Sequence, residues 1–528
     1  MRRNESAIGT EAMIVSPHSL ASAAGARILE RGGNAFDAAV AISACLAVVY
    51  PHMTGLGGDS FWLTYEAGEN RIRGYNGSGR SGAAATIAAY ADCATIPTRG
   101  IRSAVTVPGM VDAWEAVHAA YGRLGFDEVL EPAIRYAEDG FPLSHDQCSN
   151  TLAHAGMLAA EPGTAAIYLP GGGAPAAGAR FVQRRLARTL RELAVGGRGV
   201  FYGGRIAAEI TGFLRSRGGL LTADDFASHR GDWVDPLIGT YRGAEVVQMP
   251  PNSQGFVGLM ALNILEAFDL RAVGHGTRDY YHLLVEALKL SFRDRNEVLT
   301  DPAFHDIPIE RLLSKDYAAA LAASIQPEHA SELEAEPMGS DTAFAAVVDK
   351  DGNAVSFIQS LYFEFGSGVV AGDTGILLQN RGSFFSLDPA HVNCLQPHKR
   401  TFHTLMPAMV LRDGKPFILY GTQGGEGQPQ TQTALVTRML DYGMDPQRAV
   451  SEPRWVWGRT WGEPTRELKL ESRIDPAVAA ALSANGHSVR TVGAFDGIMG
   501  HAHAIKIDED GFRQGGADPR SDGAAIGW

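Results

Sequence analysis

Cysteine is scarce in this chain, with four residues in 528: Cys45, Cys93, Cys148 and Cys394. They lie far apart and form no CxxC pair, which argues against a zinc knuckle or a dense disulfide framework and fits a reducing compartment. Positive charge is also short. Lys and Arg number 46 against 59 Asp and Glu, the net charge is -13, and no basic cluster marks a nucleic-acid groove or a polybasic membrane patch. Long hydrophobic runs are missing as well. The most apolar stretch, residues 38–50 ("AAVAISACLAVVY"), is 13 residues long, too short to span a bilayer and suited to a buried helix that Asn34 caps and Pro51 ends. The opening "MRRNESAIGTEAMIVSPHSLAS" has two arginines but no apolar run behind them, so the expectation is a cytoplasmic protein without a secretory signal. "GLGGD" lacks the GK[ST] ending of a phosphate loop and reads as a tight backbone bend. No cofactor motif and no repeat of 20 to 50 residues is visible.

What is present is enough apolar content, 45%, to bury a large core in two or more compact units or one layered one. After the glycine turn near residue 55, two strands are predicted on either side of a turn at 66–70. Helical patterns dominate 107–193 and 279–325, interrupted by the loop "GGGAPAAGA". The texture then changes. "QPEHASELEAEPMGSD", residues 326–341, is polar, acidic and proline-containing, and reads as a mobile, exposed tether. Beyond it the pattern is β-rich, with hairpins around "DKDG" and around "RDGK" at 412–415. The glycine-rich "QGGEGQPQ" follows, then a helix carrying Leu435, Met439 and Tyr442 on one face and ending at Gly443.

Thr342 is therefore the first residue of the first strand of the β-rich half, directly after the tether. That is the address to choose if the Asp341–Thr342 bond were to be cut, because the new amino terminus would sit on a rigid strand. A threonine with a free α-amino group carries its own general base. Such an amine titrates near pH 7.7 to 8.0 and can take the hydroxyl proton without help from a histidine.

The segments "DTAFAAVVDKDGNAVSFIQSLYFEFGSG", "NAFDAAVA", "GLGGDSFWL", "PGMVDAW", "GTQGG" and "GGADPRSDGAA" together resemble the gamma-glutamyltransferase family of N-terminal nucleophile hydrolases. The matches run in order from about residue 10 to the end. The resemblance implies an α+β fold, a four-layer αββα sandwich. It would be made from one precursor that cleaves itself between Asp341 and Thr342 into a large segment, 1–341, and a small one, 342–528. It implies Thr342 as nucleophile, Gly424 and Gly425 at the oxyanion hole, and Ser360 in place of a second threonine that supports the nucleophile. The two segments are expected to stay associated, with a dimer of such units as a further family expectation. Neither metal nor cofactor is implied.

The resemblance breaks down at the substrate clamp. Relatives that act on glutamyl groups hold the α-carboxylate with an arginine and the α-amino group with an aspartate. Here Ser78 and Phe384 fall at those two positions, Tyr362 replaces an asparagine, and His403 and Thr404 replace paired serines. Unpaired buried ions cost several kcal/mol each, so a charged amino-acid end would be poorly held. Arg381, three residues before Phe384, offers a planar fork suited to a carboxylate, with Arg80 in reserve as an anion binder. The expected activity is hydrolysis, with water as acceptor, of a small amide carrying a carboxylate, as in the oxamate amidohydrolase-like branch. Two alternatives stand beside it: a gamma-glutamyltransferase or glutathione hydrolase acting on γ-glutamyl compounds, and a catalytically silent scaffold. His501 and His503, which would share one side of a strand, and Cys148 are read as packing residues.

Overall fold

The computed structural model describes residues 5–336, 341–458 and 464–528. Two seven-stranded antiparallel sheets lie at its centre. The first runs Ala524–Gly527, Met13–Ser16, Asp341–Val348, Ala354–Tyr362, Asp59–Glu66, Arg71–Gly77, Asp232–Val234. The second runs Ala7–Gly9, Arg513–Ala517, Ala502–Ile507, Lys415–Thr422, Ala408–Arg412, Ala244–Gln248, Leu237–Tyr241. Both hairpins expected from "DKDG" and "RDGK" are present.

Alternation along the strands decides the layering. Phe344, Ala346 and Val348 pack between the sheets with Met409, Leu419 and Ile505 of the opposite sheet. Ala343, Ala345 and Val347 face outward, into a core shared with helices Ala35–Val49 and Met110–Tyr121. On the far side Val410, Ile418 and Ala504 meet helices Gly255–Leu265, Arg278–Val298 and Gly427–Leu440. The result is the four-layer αββα sandwich. Helix Ala35–Val49 is buried on every face, as an all-apolar helix must be. Asn34 starts it with a capping box, accepting from the Asp37 N–H while the Asp37 carboxylate accepts from the Asn34 N–H.

The segment read as a loose tether is held along most of its described length. The Gln326 carbonyl accepts from His282 Nε2 at 2.8 Å and the Pro327 carbonyl from Arg278 Nη1 at 2.6 Å. The Ser331 N–H donates to Glu286 at 3.0 Å, and Ala335 exchanges backbone hydrogen bonds with Thr465. The sequence reading looked for apolar anchors. The anchoring is polar, through backbone groups bound to charged side chains of helix Arg278–Val298, and composition does not reveal it. Residues 337–340 of that segment lie outside the described residues. Among the described residues no helix is long and apolar enough to cross a membrane, and all four cysteines are free thiols.

Candidate active site

Thr342 is fully buried at a break in strand pairing. Asp341 pairs with Tyr362 and Ala343 with Gln359, so Thr342 alone faces both Ser360 and Leu361. This is a β-bulge, a device that re-aims a side chain. Tyr362, just beyond it, has φ 85°, a region that non-glycine residues rarely enter and that clusters at functional sites. The Tyr362 N–H donates to Ser360 Oγ at 2.7 Å, which ties the serine hydroxyl to the bulge. From the opposite layer Gln428 Nε2 reaches Thr342 Oγ1 at 3.5 Å.

Gly424 and Gly425 have φ 123° and 49°, and Gly424 occupies a conformation a side chain would resist. They form the turn that opens helix Gly427–Leu440. The turn is braced from behind. Gln254 Nε2 donates to the Gly425 carbonyl at 3.0 Å and to the Thr404 carbonyl at 2.9 Å, and Arg295 donates to Gln254 Oε1 at 2.9 Å. Arg295 also forms a fully buried ion pair with Glu426. Burial lowers the arginine pKa and raises that of the glutamic acid, so desolvation is the dominant influence on both partners.

Arg381 is 1% exposed. Its guanidinium carbon lies 4.0 Å from the Tyr362 ring centroid, and Nη2 donates to Thr404 Oγ1 at 3.4 Å. Among the described residues Nε and Nη1 have no hydrogen-bond partner. Phe384 meets Tyr362 edge to face at 5.3 Å and packs on Phe402, closing an aromatic wall. Burial brings the Arg381 pKa down to about 10, so the side chain stays cationic at neutral pH.

A carboxylate that sequence reading passed over sits beside it. Asp59, the acid of "GLGGD", is fully buried. Its Oδ1 accepts from the N–H groups of Gly79 and Gly109 and from Gln379 Nε2, each at 3.1 Å. His403 Nδ1 accepts from the Leu405 N–H at 3.4 Å, which leaves Nε2–H to donate to Asp59 Oδ2 at 3.3 Å. Burial raises the Asp59 pKa to about 7, against the lowering pull of Gln379 and Arg381. Burial, reinforced by Arg381 and Arg400, holds His403 well below its ordinary value and neutral.

The structure thus gathers Thr342, Ser360, Gly424, Gly425, Arg381, Tyr362, Phe384, His403 and Thr404 around one region. Arg80 differs. It is over a third exposed and its charge is taken up by Asp232 at 3.5 Å and by the Arg230 carbonyl. The "GLGGD" turn is the tight bend expected, since a Cβ on Gly58 would stand 2.2 Å from the Ser360 carbonyl oxygen. His501 Nδ1 contacts the Tyr50 hydroxyl at 2.9 Å and His503 Nδ1 accepts from the Asp518 N–H at 3.3 Å, both as packing residues. Among the described residues one cluster has the composition of a metal site: His282, Glu286 and His487. There Lys289 Nζ lies 2.8 Å from Glu286 Oε1, and the two imidazoles are in contact at 2.9 Å, so an ammonium already supplies the counter-charge.

Two stacked sheets between helical layers, with a threonine at a bulge opposite a glycine turn, define an N-terminal nucleophile hydrolase fold. The gamma-glutamyltranspeptidase family model matches residues 21–528, and the chain belongs to that family. It is 63% identical to the glutathione hydrolase-like YwrD proenzyme of Bacillus subtilis (strain 168), over 99% of this chain and 100% of that protein. It is 42% identical to the oxamate amidohydrolase proenzyme of Klebsiella pneumoniae subsp. pneumoniae, again over 99% and 100%. The crystal structure of cephalosporin acylase from Bacillus halodurans superposes with a TM-score of 0.93 at 37% identity, covering 100% of this chain and 97% of that one.

Proposed function

We propose that this chain is a proenzyme that cuts its own Asp341–Thr342 bond and then hydrolyses a small amide bearing a carboxylate next to the scissile carbonyl. In the precursor the Thr342 hydroxyl attacks the Asp341 carbonyl, and the N-to-O acyl shift gives an ester that water opens. In the mature enzyme the freed amine takes the hydroxyl proton as Oγ1 attacks the substrate amide. Backbone N–H groups at Gly424 and Gly425 stabilise the oxyanion, the amine of the substrate leaves with a proton, and water releases the acyl group. Ser360 supports the nucleophile across the bulge. The segments stay together because the first sheet interleaves strands from both sides of the cut.

The observation that carries the substrate class is Arg381. A buried guanidinium with two nitrogens that find no acceptor among the described residues is costly unless a ligand supplies the oxygens. A substrate carboxylate does so on one edge of the fork, pairing Nη1 or Nε with Nη2, and Tyr362 and Phe384 limit the space to a short chain. A second reading, hydrolysis of γ-glutamyl compounds, is favoured by the name of the 63% identical relative. The test is a panel of oxamate, its neutral analogue oxamide and a γ-glutamyl anilide on the matured enzyme. Highest kcat/KM for oxamate supports the proposal. Preference for the anilide replaces it with the second reading.

A further inference from the structure

We propose that Asp59 is a specificity-determining residue that carries a proton whenever a substrate carboxylate seats on Arg381; this rests on Arg381 being the carboxylate binder. The geometry is that of two opposite charges sharing a dry pocket without pairing. Asp59 and Arg381 are both buried, their charges act on one another, and no ion pair within 4.0 Å joins them among the described residues. In the empty site an ionised Asp59 balances the guanidinium. An incoming carboxylate brings a second negative charge to the same cation, and in a low-dielectric site two carboxylates near one arginine repel strongly. The relief is a proton drawn from solvent onto Asp59. Among the described residues Oδ1 is filled by three donors, whereas Oδ2 meets only the 3.3 Å contact from His403, so Oδ2 is the oxygen with room for it. No substrate bond changes in this step.

The groups facing Asp59 leave it as the one that titrates in the neutral range. Arg381, with a pKa near 10, stays charged, and His403 stays neutral. Tyr362 is pushed above the ordinary phenol value by burial, and Arg400 reaches the cluster through its effect on His403. Gly79, Gly109 and Gln379 contribute only fixed dipoles. The remaining titratable neighbour is the freed α-amino group of Thr342, and the experiment cancels it.

Oxamate and oxamide differ in one charge and meet the same nucleophile and the same base. The ratio of their kcat/KM values therefore removes the titration of the base and reports only how the anion is read. The ratio should be level below about pH 7, where Asp59 is protonated. Above that pH it should fall by up to about tenfold per pH unit as Asp59 ionises, before levelling at the ionised limit. In Asp59→Asn it should stay high and level. A level wild-type ratio from pH 6 to 9, or an Asp59→Asn ratio that still falls like wild type, overturns the proposal. If Asp59→Asn does not mature, the wild-type profile alone decides. Failure of the underlying reading looks different: the ratio would be near one at every pH and unchanged by Arg381→Ala.

Discussion

The Arg381 guanidinium stands 4.0 Å above the Tyr362 ring, and Tyr362 is the residue paired with Asp341 at the other side of the bulge that holds Thr342. The proposed carboxylate binder and the proposed nucleophile are thus both tied to the same two paired strands. Because the ring fixes the plane of the fork, a substrate acid docked on one of its edges, Nη1 or Nε together with Nη2, has its acyl carbon aligned with little freedom. Arg381→Ala should lower kcat/KM for oxamate by about 30-fold or more, corresponding to about 2 kcal/mol, with self-cleavage intact because maturation uses no free carboxylate. Steady-state kinetics on the matured variant check it. Wild-type turnover of oxamate would remove Arg381 from the pocket. Arg381→Lys should recover only part of the loss, since an ammonium has no fork and does not stack.

Self-cleavage gives a second prediction. Thr342 is buried at a strand start, and its hydroxyl is held toward Gln428. Purified wild type should resolve by intact mass into fragments 1–341 and 342–528, and Thr342→Ala should remain one chain. The two wild-type fragments should elute together on size exclusion, because separating them requires breaking the pairing of strand Asp341–Val348 with Met13–Ser16. A wild type that never splits, or a mutant that does, defeats the nucleophile assignment.

How much of this was legible beforehand differs residue by residue, and the reason is range. Thr342 stands out through local pattern, a hydroxyl at a strand start after a polar segment, whereas Ser360 and the glycine pair are picked out only by the family resemblance. Arg381 was legible from chemistry, as a fork beside a lost acid. Asp59 was not, because its meaning comes from Gln379 and His403, partners 320 and 344 residues away. Arg295 and Glu426 were equally hidden. On a helical wheel an arginine in Arg278–Val298 reads as solvent-facing, and only tertiary packing turns it inward. Arg80 and the segment 326–336 show the same effect of range: both are tied by groups distant in sequence, contacts that composition does not reveal.

The Arg295–Glu426 pair predicts a stability effect separable from chemistry. Both side chains are buried, at 0% and 1% exposure, and Arg295 also fixes Gln254 beneath the glycine turn. Arg295→Ala leaves a buried carboxylate without its cation and should destabilise the protein by about 3 to 5 kcal/mol. Arg295→Met combined with Glu426→Gln removes both charges and should recover much of that loss, while kcat stays depressed because the Gly425 carbonyl has lost its braced partner. Urea denaturation and single-turnover kinetics on the two variants separate these effects. Equal stability of Arg295→Ala and wild type would mean that the pair is not desolvated.

The last prediction concerns the acid limb of the pH profile. His403 is the imidazole placed in the substrate region, yet both its nitrogens are engaged, by the Leu405 N–H and by Asp59, and burial keeps it neutral. A group whose pKa is lowered this far holds no proton to lose as pH rises through the working range, so it cannot produce a limb there. On the proposed mechanism the proton that must leave is that of the Thr342 α-amine, ordinarily near 7.7 to 8.0. With oxamide as substrate, where the charge of Asp59 matters least, kcat/KM should rise with pH through that amine. The midpoint should be unchanged in His403→Asn, and turnover should fall by no more than about tenfold, the cost of a loosened Asp59 contact rather than of a lost base. A matured, folded His403→Asn enzyme that is inactive, or whose acid limb has vanished, would transfer the role of general base from the amine to the imidazole.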